Sequence, residues 1–164
     1  TPPPPRVVFV HFGLNVAITQ FELELQARNE ATFSCPDEAG WSPVKCRIDP
    51  DSSIPLDHVR CTSLPVRRLV AELRSSGFDV GVSADAGRFV CNWVYYNSLR
   101  LAEPKGVCAL FVHVPPHASQ PLETQLRFFA TLVEKISALE LYVEKSAQKA
   151  PTTLIFQCFQ PFGF

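Results

Sequence analysis

The chain lacks an excess of charge of either sign and lacks any long apolar run. Its 15 Lys and Arg residues are balanced by 16 Asp and Glu residues, so the formal net charge is −1. We therefore expect no nucleic-acid partner and no membrane-surface partner, because both need a basic surface. No apolar run approaches the roughly 20 residues of a membrane span, and no signal-peptide pattern is visible at the start.

Methionine and closely spaced cysteine pairs are also absent. Removal of an initiator before Thr1, or excision from a longer chain, would account for the missing methionine. The six cysteines are Cys35, Cys46, Cys61, Cys91, Cys108 and Cys158. Their even number is compatible with disulfides in a secreted protein, but none forms the Cys-x-x-Cys pairs that commonly bind zinc. We therefore expect reduced thiols in the cytosol, with no metal and no cofactor.

The composition is that of a folded chain. Apolar residues make up 46% and charged residues 19% of the 164 positions, which excludes a disordered protein. This length fits one domain with one core, so residues 1–164 are treated as a single domain. Three parts stand out from it, namely a Pro-rich start over 1–6, a long irregular loop over 29–57 and a tail over 143–164.

Apolar strand-like runs alternate with helical periods, which predicts an α/β fold with a mostly parallel sheet sandwiched between helices. Strands are predicted at 7–12, 17–27, 78–83, 107–114 and 153–159, and helices at 64–76, 92–101 and 121–142. Ser63 is the expected N-cap of the first helix, and Gly77 ends it. The predicted buried stripes are Val66, Leu69, Val70 and Leu73 on the first helix, and Leu122, Leu126, Phe129, Val133, Ile136 and Leu139 on the last.

Cys91 stands at the junction between a predicted strand and the helix that begins near Asn92. Unpaired N–H groups and the positive end of a helix dipole favour a thiolate at such a position. The thiolate is the nucleophilic form of cysteine, so this position suits covalent catalysis. Taken alone, a small buried and unreactive cysteine is the commoner arrangement.

His113 lies near the carboxyl end of the predicted strand 107–114, which two prolines follow. Active sites in open α/β sheets gather at the carboxyl ends of strands, where both His113 and Cys91 are then expected. The alternative for His113 is a core histidine bonded to a backbone carbonyl.

The two segments carry a specific pattern. Residues 86–92 read Ala-Gly-Arg-Phe-Val-Cys-Asn, Tyr96 follows four positions later, and residues 111–115 read Phe-Val-His-Val-Pro. This order and spacing resembles the pyroglutamyl peptidase I family (pyrrolidone-carboxylate peptidases), which are cysteine peptidases. Among them, the chain looks most similar to a truncated pyroglutamyl-peptidase-like paralogue.

The resemblance implies a third catalytic residue. Family members carry a glutamate eleven residues after the glycine of a Val-His-x-Gly strand end. Val10-His11-Phe12-Gly13 matches that strand end here, and the count leads to Glu24. Glu22 is the competing carboxylate, because it lies two residues earlier on the same side of an extended strand. Only the resemblance separates the two, and a solvated strand face is the alternative for both.

By resemblance, the chain hydrolyses the amide bond after an N-terminal pyroglutamyl residue, and pyroglutamylated peptides are its partners. Cys91 would be the nucleophile, His113 the acid and base, and Glu24 the group that orients the ring. Phe89 and Val90 match family positions that line the substrate pocket. Arg88 either supports the thiolate or the oxyanion, or is a surface arginine.

The sequence departs from the family at its start. Family members begin with a strand, a Gly-Phe-Gly-Pro-Phe-Gly loop, a helix and another strand, and no counterpart precedes Val7. The alternative function is therefore a catalytically impaired paralogue that acts as a binding or regulatory protein. Residues 160–164 only faintly echo the lost loop, and that echo is treated as chance. The sequence does not indicate an oligomeric state.

Overall fold

The computed structural model describes residues 6–143 and 152–159. The elements, in chain order, are β1 (Arg6–Leu14), β2 (Phe21–Glu24), β3 (Gln26–Arg28), β4 (Val59–Cys61), α1 (Val66–Ser75), β5 (Val80–Ser83), α2 (Val90–Ala102), a short 3-10 turn (Glu103–Lys105), β6 (Cys108–Val114), α3 (Leu122–Val143) and β7 (Thr152–Phe159). Most of the predicted Pro-rich start and the parts of the tail at 144–151 and 160–164 lie outside the described residues.

The main sheet has five strands in the order β5-β2-β6-β1-β7. Strand β1 pairs in parallel with both β6 and β7, and β2 pairs in parallel with β5. The contact between β2 and β6 is antiparallel. The predicted α/β class with a mostly parallel sheet is confirmed, and a separate antiparallel ribbon joins β3 to β4.

Each face of the sheet is covered by a different layer. One face packs on α1 and α3 through a core that includes Val10, Leu23, Leu69, Leu110 and Phe128. The other face packs on α2 and the 29–57 loop through a core that includes Ala27, Phe33, Tyr95, Tyr96 and Phe111. Because strand residues alternate between faces, His113 shares the α2 side with Phe111. Within the described residues, no helix has the length and apolarity needed to span a membrane.

The N-cap predicted for α1 is wrong. The helix begins at Val66 with Pro65 in the capping position, and no side chain caps its first turn. Ser63 lies further back and its hydroxyl is 3.2 Å from the Cys108 sulfur. Proline fixes its own φ angle and suits a helix start, so the helix begins two residues later than a serine cap would allow. The predicted stripe of α1 and its end at Gly77, with φ of 89°, are confirmed.

The stripe predicted for α3 is rotated. Leu122 and Leu126 are 56% and 58% exposed, whereas Phe128 and Leu132 are fully buried. Phe129 and Val133 are only half-buried, Ile136 is buried as predicted, and the side chain of Leu139 lies outside the described part. Phe128 stacks on Phe21 with 3.7 Å between ring centroids, which turns this side of the helix toward the sheet.

Candidate active site

Strands β2 and β6 place three ionisable side chains, those of Glu22, Glu24 and His113, on the sheet face that packs on α2. In the parallel ladder, His113 of β6 lies beside Gly13 of β1. In the antiparallel ladder on its other side, His113 lies beside Glu22 of β2. Glu24 is two residues further along β2 and therefore faces the same side of the sheet.

The His113 ring is held by Glu24. Its Nδ1 atom lies 2.7 Å from Glu24 Oε1, although the two residues are 89 positions apart in the chain. Glu24 is fully buried and His113 is 6% exposed. The Tyr95 hydroxyl donates a hydrogen bond of 2.9 Å to the Glu24 backbone carbonyl and so fixes the strand from the α2 side. A carboxylate placed this way sets the orientation of the imidazole.

Cys91 is the second residue of α2 and lies over Gly13. A β-carbon built on Gly13 would stand 2.9 Å from the Cys91 sulfur and 2.7 Å from the Phe111 ring, so only glycine leaves room for the thiol. Phe89 occupies the N-cap, and no side chain caps the helix. The backbone N–H groups of the first turn therefore remain available near the sulfur. Cys91 as a residue is half-buried.

The pKa of His113 depends on its burial and on two neighbouring side chains. Burial alone would lower the pKa of His113, but hydrogen bonds with Cys91 and Glu24, together with their negative charges, raise it to about 9. The ring is therefore an imidazolium at neutral pH when the cysteine is a thiolate. Such an ion pair is the usual resting form of an activated cysteine.

The direction of β5 differs from that of β6. Cys91 and His113 each lie at or after the carboxyl end of their own strand, as expected, but those ends do not share one edge of the sheet. Ser83, the last residue of β5, pairs with Glu24, and Glu22 pairs with His113. The end of β5 thus lies beside the middle of β6, and the following segment reaches His113 across the sheet face.

The start of α2 is anchored by Asn92, a residue that the sequence did not single out. Its amide accepts from the Arg28 N–H at 2.8 Å and donates to the carbonyls of Arg28 and Glu30 at 2.9 Å each. The side chain is completely buried. Its position directly after the nucleophile in the family pattern was the available signal.

The remaining predicted site residues flank Cys91. Phe89 and Val90 are half-buried and pack against the α2-side core, with Phe89 edge-on to Phe33 at 4.7 Å. Arg88 forms ion pairs with Asp85 at 2.6 Å and with Glu30 at 3.6 Å. Its guanidinium is thus engaged by Asp85 in the segment before Cys91 and by Glu30 in the 29–57 loop.

His11 is a second histidine buried on this face, and sequence reasoning did not assign it a role. Its Nε2 atom lies 2.7 Å from the Ser98 hydroxyl of α2. Burial lowers the pKa of His11 to about 4, and a hydrogen bond with Gln157 of β7 opposes that effect. His11 is therefore a neutral ring that links β1, α2 and β7. The signal for it was the Val-His-x-Gly strand end.

Solved structures with this architecture are known. The crystal structure of pyrrolidone carboxyl peptidase from Thermus thermophilus superposes with a TM-score of 0.66 at 30% identity, covering 76% of this chain and 67% of that one. The enzyme from Thermococcus litoralis gives a TM-score of 0.73 at 27% identity, covering 88% of this chain and 71% of that one. The fold is thus the α/β fold of pyrrolidone carboxyl peptidases.

Sequence comparison gives the family. The family model described as pyroglutamyl peptidase matches residues 5–147, so the chain belongs to the pyroglutamyl peptidase family. The pyrrolidone-carboxylate peptidase of Thermococcus litoralis is 30% identical over 152 residues, covering 87% of this chain and 66% of that protein. The pyrrolidone-carboxylate peptidase of Pseudomonas fluorescens is 32% identical over 103 residues, a match that covers 46% of that protein. The chain thus spans about half to two thirds of these relatives.

Proposed function

We propose that this chain is a cysteine exopeptidase that removes an N-terminal pyroglutamyl residue from peptides, with Cys91, His113 and Glu24 as its catalytic residues. The observation that carries the proposal is the convergence of the three side chains. Glu24 holds the His113 ring at 2.7 Å, and the Cys91 sulfur interacts with the same ring. Membership of the pyroglutamyl peptidase family supplies the substrate class.

The reaction follows from this geometry. The Cys91 thiolate attacks the carbonyl carbon of the scissile amide, and the N–H groups at the uncapped start of α2 stabilise the oxyanion. His113 then donates its proton to the leaving amine, the C–N bond breaks, and a thioester remains on Cys91. Water, deprotonated by the neutral His113 ring, hydrolyses the thioester and restores the thiolate. Glu24 keeps the ring oriented throughout.

Pocket residues follow the same proposal. The pyroglutamyl ring is small and uncharged, so an apolar wall with few polar groups suits it. Phe89 and Val90 flank the nucleophile and serve as that wall. We assign Arg88 to fixing the segment before Cys91, because Asp85 and Glu30 occupy its guanidinium. A reducing compartment such as the cytosol suits this chemistry, since the thiol must stay reduced.

The test is hydrolysis of a fluorogenic pyroglutamyl amide by the purified chain. Cys91→Ala should abolish hydrolysis, and Cys108→Ser is the matched control because Cys108 is equally half-buried but lies on β6 beside Ser63. Equal activity of wild type and Cys91→Ala would overturn the proposal.

The alternative is a binding or regulatory protein that has lost turnover. Saturable binding of a pyroglutamyl peptide without hydrolysis by the wild type would establish it.

A further inference from the structure

Three side chains with metal-binding atoms meet at the end of β2. Glu22, Glu24 and His113 each offer one ligand atom, and these atoms all lie within 4.8 Å of one another. The sheet causes this convergence, because Glu22 is the cross-strand neighbour of His113 and Glu24 lies on the same face. Spacing along the chain could not reveal the group, since its members come from two distant strands.

A second observation points to a ligand at this place. The Glu24 carboxylate is fully buried, and its Oε1 atom is taken by His113. Its Oε2 atom is buried and has no hydrogen-bond partner within the described residues. Buried carboxylate oxygens almost always have a partner, and leaving one unsatisfied is costly. Glu22, the third member of the group, is half-buried.

We propose that Glu22, Glu24 and His113 form a binding site for a divalent transition-metal ion, best matched by Zn²⁺, and that the bound ion switches the peptidase off. Zn²⁺ takes imidazole nitrogen and carboxylate oxygen in four-coordinate sites, commonly with three protein ligands and one water. Ca²⁺ fits poorly because it needs six to eight oxygen ligands. The bound ion would not be a catalytic cofactor, since no step of the proposed hydrolysis uses it.

The inhibitory part rests on the proposed function. The ion takes Nδ1 of His113, and the proton on that nitrogen leaves to solvent. The ring then exchanges its contact with Glu24 for a contact through the metal, and it no longer forms an imidazolium. Without an imidazolium, the leaving amine has no strong acid to protonate it. Inhibition should be reversed by a chelator, because the ion adds no covalent bond to the chain.

Binding is tested on the full chain by titration calorimetry with Zn²⁺, in the presence of a non-thiol reductant. We expect Glu22→Gln to weaken binding by about tenfold or more, whereas the exposed control Glu38→Gln leaves it unchanged. Cys91→Ser should retain binding, because the sulfur is not a ligand. Undiminished binding by Glu22→Gln, or loss of binding in Cys91→Ser, would overturn the site.

Inhibition is tested separately with the pyroglutamyl amide. The Zn²⁺ concentration that halves hydrolysis should rise in Glu22→Gln by the factor by which its binding weakens. A chain that binds Zn²⁺ through Glu22 but never hydrolyses the amide supports the metal site and overturns the proposed function. A chain that hydrolyses the amide and binds no Zn²⁺ overturns the metal site alone.

Discussion

Cys91 rests directly on Gly13, with the sulfur 2.9 Å from the position that a β-carbon on Gly13 would occupy. Gly13, Cys91 and Phe111 come from distant parts of the chain and meet at this point. They fit together only because Gly13 has no side chain, since the Phe111 ring fills the other side of the same space. The Cys91 thiol is thus positioned by the missing side chain of Gly13 as much as by helix α2.

We expect Gly13→Ala to displace the sulfur and reduce hydrolysis by about 100-fold, since an error of about 1 Å in position is enough for that loss. Overpacking should also lower the free energy of unfolding by about 1–3 kcal/mol. Gly81→Ala is the control, because its new β-carbon meets only the flexible end of Gln20. Kinetics and urea unfolding of both variants make the comparison, and equal effects would contradict this account of Gly13.

Glu24→Gln keeps the size of the side chain and removes the charge that orients His113. We expect hydrolysis to fall by up to about 10⁴-fold, the loss that follows neutralisation of the orienting carboxylate in a catalytic triad. Glu22→Gln should retain at least about a tenth of the activity, because Glu22 makes no hydrogen bond with the ring in the described structure. The reverse ranking in kcat/KM would transfer the orienting role to Glu22.

The pH profile of hydrolysis should fall on its alkaline side near the pKa of His113. That pKa is raised to about 9, so the ring is protonated below this pH and becomes neutral above it. Loss of the proton removes both the partner of the thiolate and the acid for the leaving amine. In Glu24→Gln the alkaline limb of the residual activity should move to lower pH, because one of the two charges that raise the pKa is gone. An unmoved limb would contradict the assignment.

The rate at which each cysteine is alkylated should depend on the charge next to its sulfur rather than on its exposure to solvent. Cys35, Cys46 and Cys61 are exposed, whereas Cys91 is half-buried. The positively charged His113 ring beside the Cys91 sulfur favours nucleophilic attack by that sulfur. Mass spectrometry after brief treatment with iodoacetamide should therefore find Cys91 labelled first. Preferential labelling of the three exposed cysteines would argue against an activated nucleophile.

His11 should make the fold sensitive to acid. Its pKa is lowered to about 4 in the folded state, against about 6.5 in the unfolded chain. Between these values only the unfolded chain binds the proton, so stability is complete above pH 6.5 and is lost as the pH falls toward 4. From pH 7 to 4.5, wild type should lose about 2 kcal/mol more than His11→Gln in urea unfolding. Parallel losses in both proteins would contradict this.

The class of fold could be predicted from the sequence alone. Apolar strand-like runs that alternate with helical periods were sufficient to predict an α/β fold. Local position pointed to Cys91 and His113 as candidates, and the family resemblance added Glu24. The structure then brings these three side chains together. The choice of Glu24 over Glu22 required the family pattern, because both residues face the same side of β2.

The predictions that were wrong concern features that depend on tertiary contacts. The α3 stripe was displaced because Phe128 stacks on Phe21, a contact between segments more than a hundred positions apart. The reversed direction of β2 against β6 is likewise invisible to local patterns, since a four-residue strand reads the same in either direction. The supporting roles of Asn92 and Tyr95 also required knowledge of what lies across from α2.

The buried amide of Asn92 joins the start of α2 to Arg28 and Glu30, at the beginning of the long 29–57 loop. Three hydrogen bonds hold this junction, so the loop and the nucleophile share one rigid attachment. If the chain acts as proposed, a displacement of the 29–57 loop at Arg28 or Glu30 should therefore also displace Cys91.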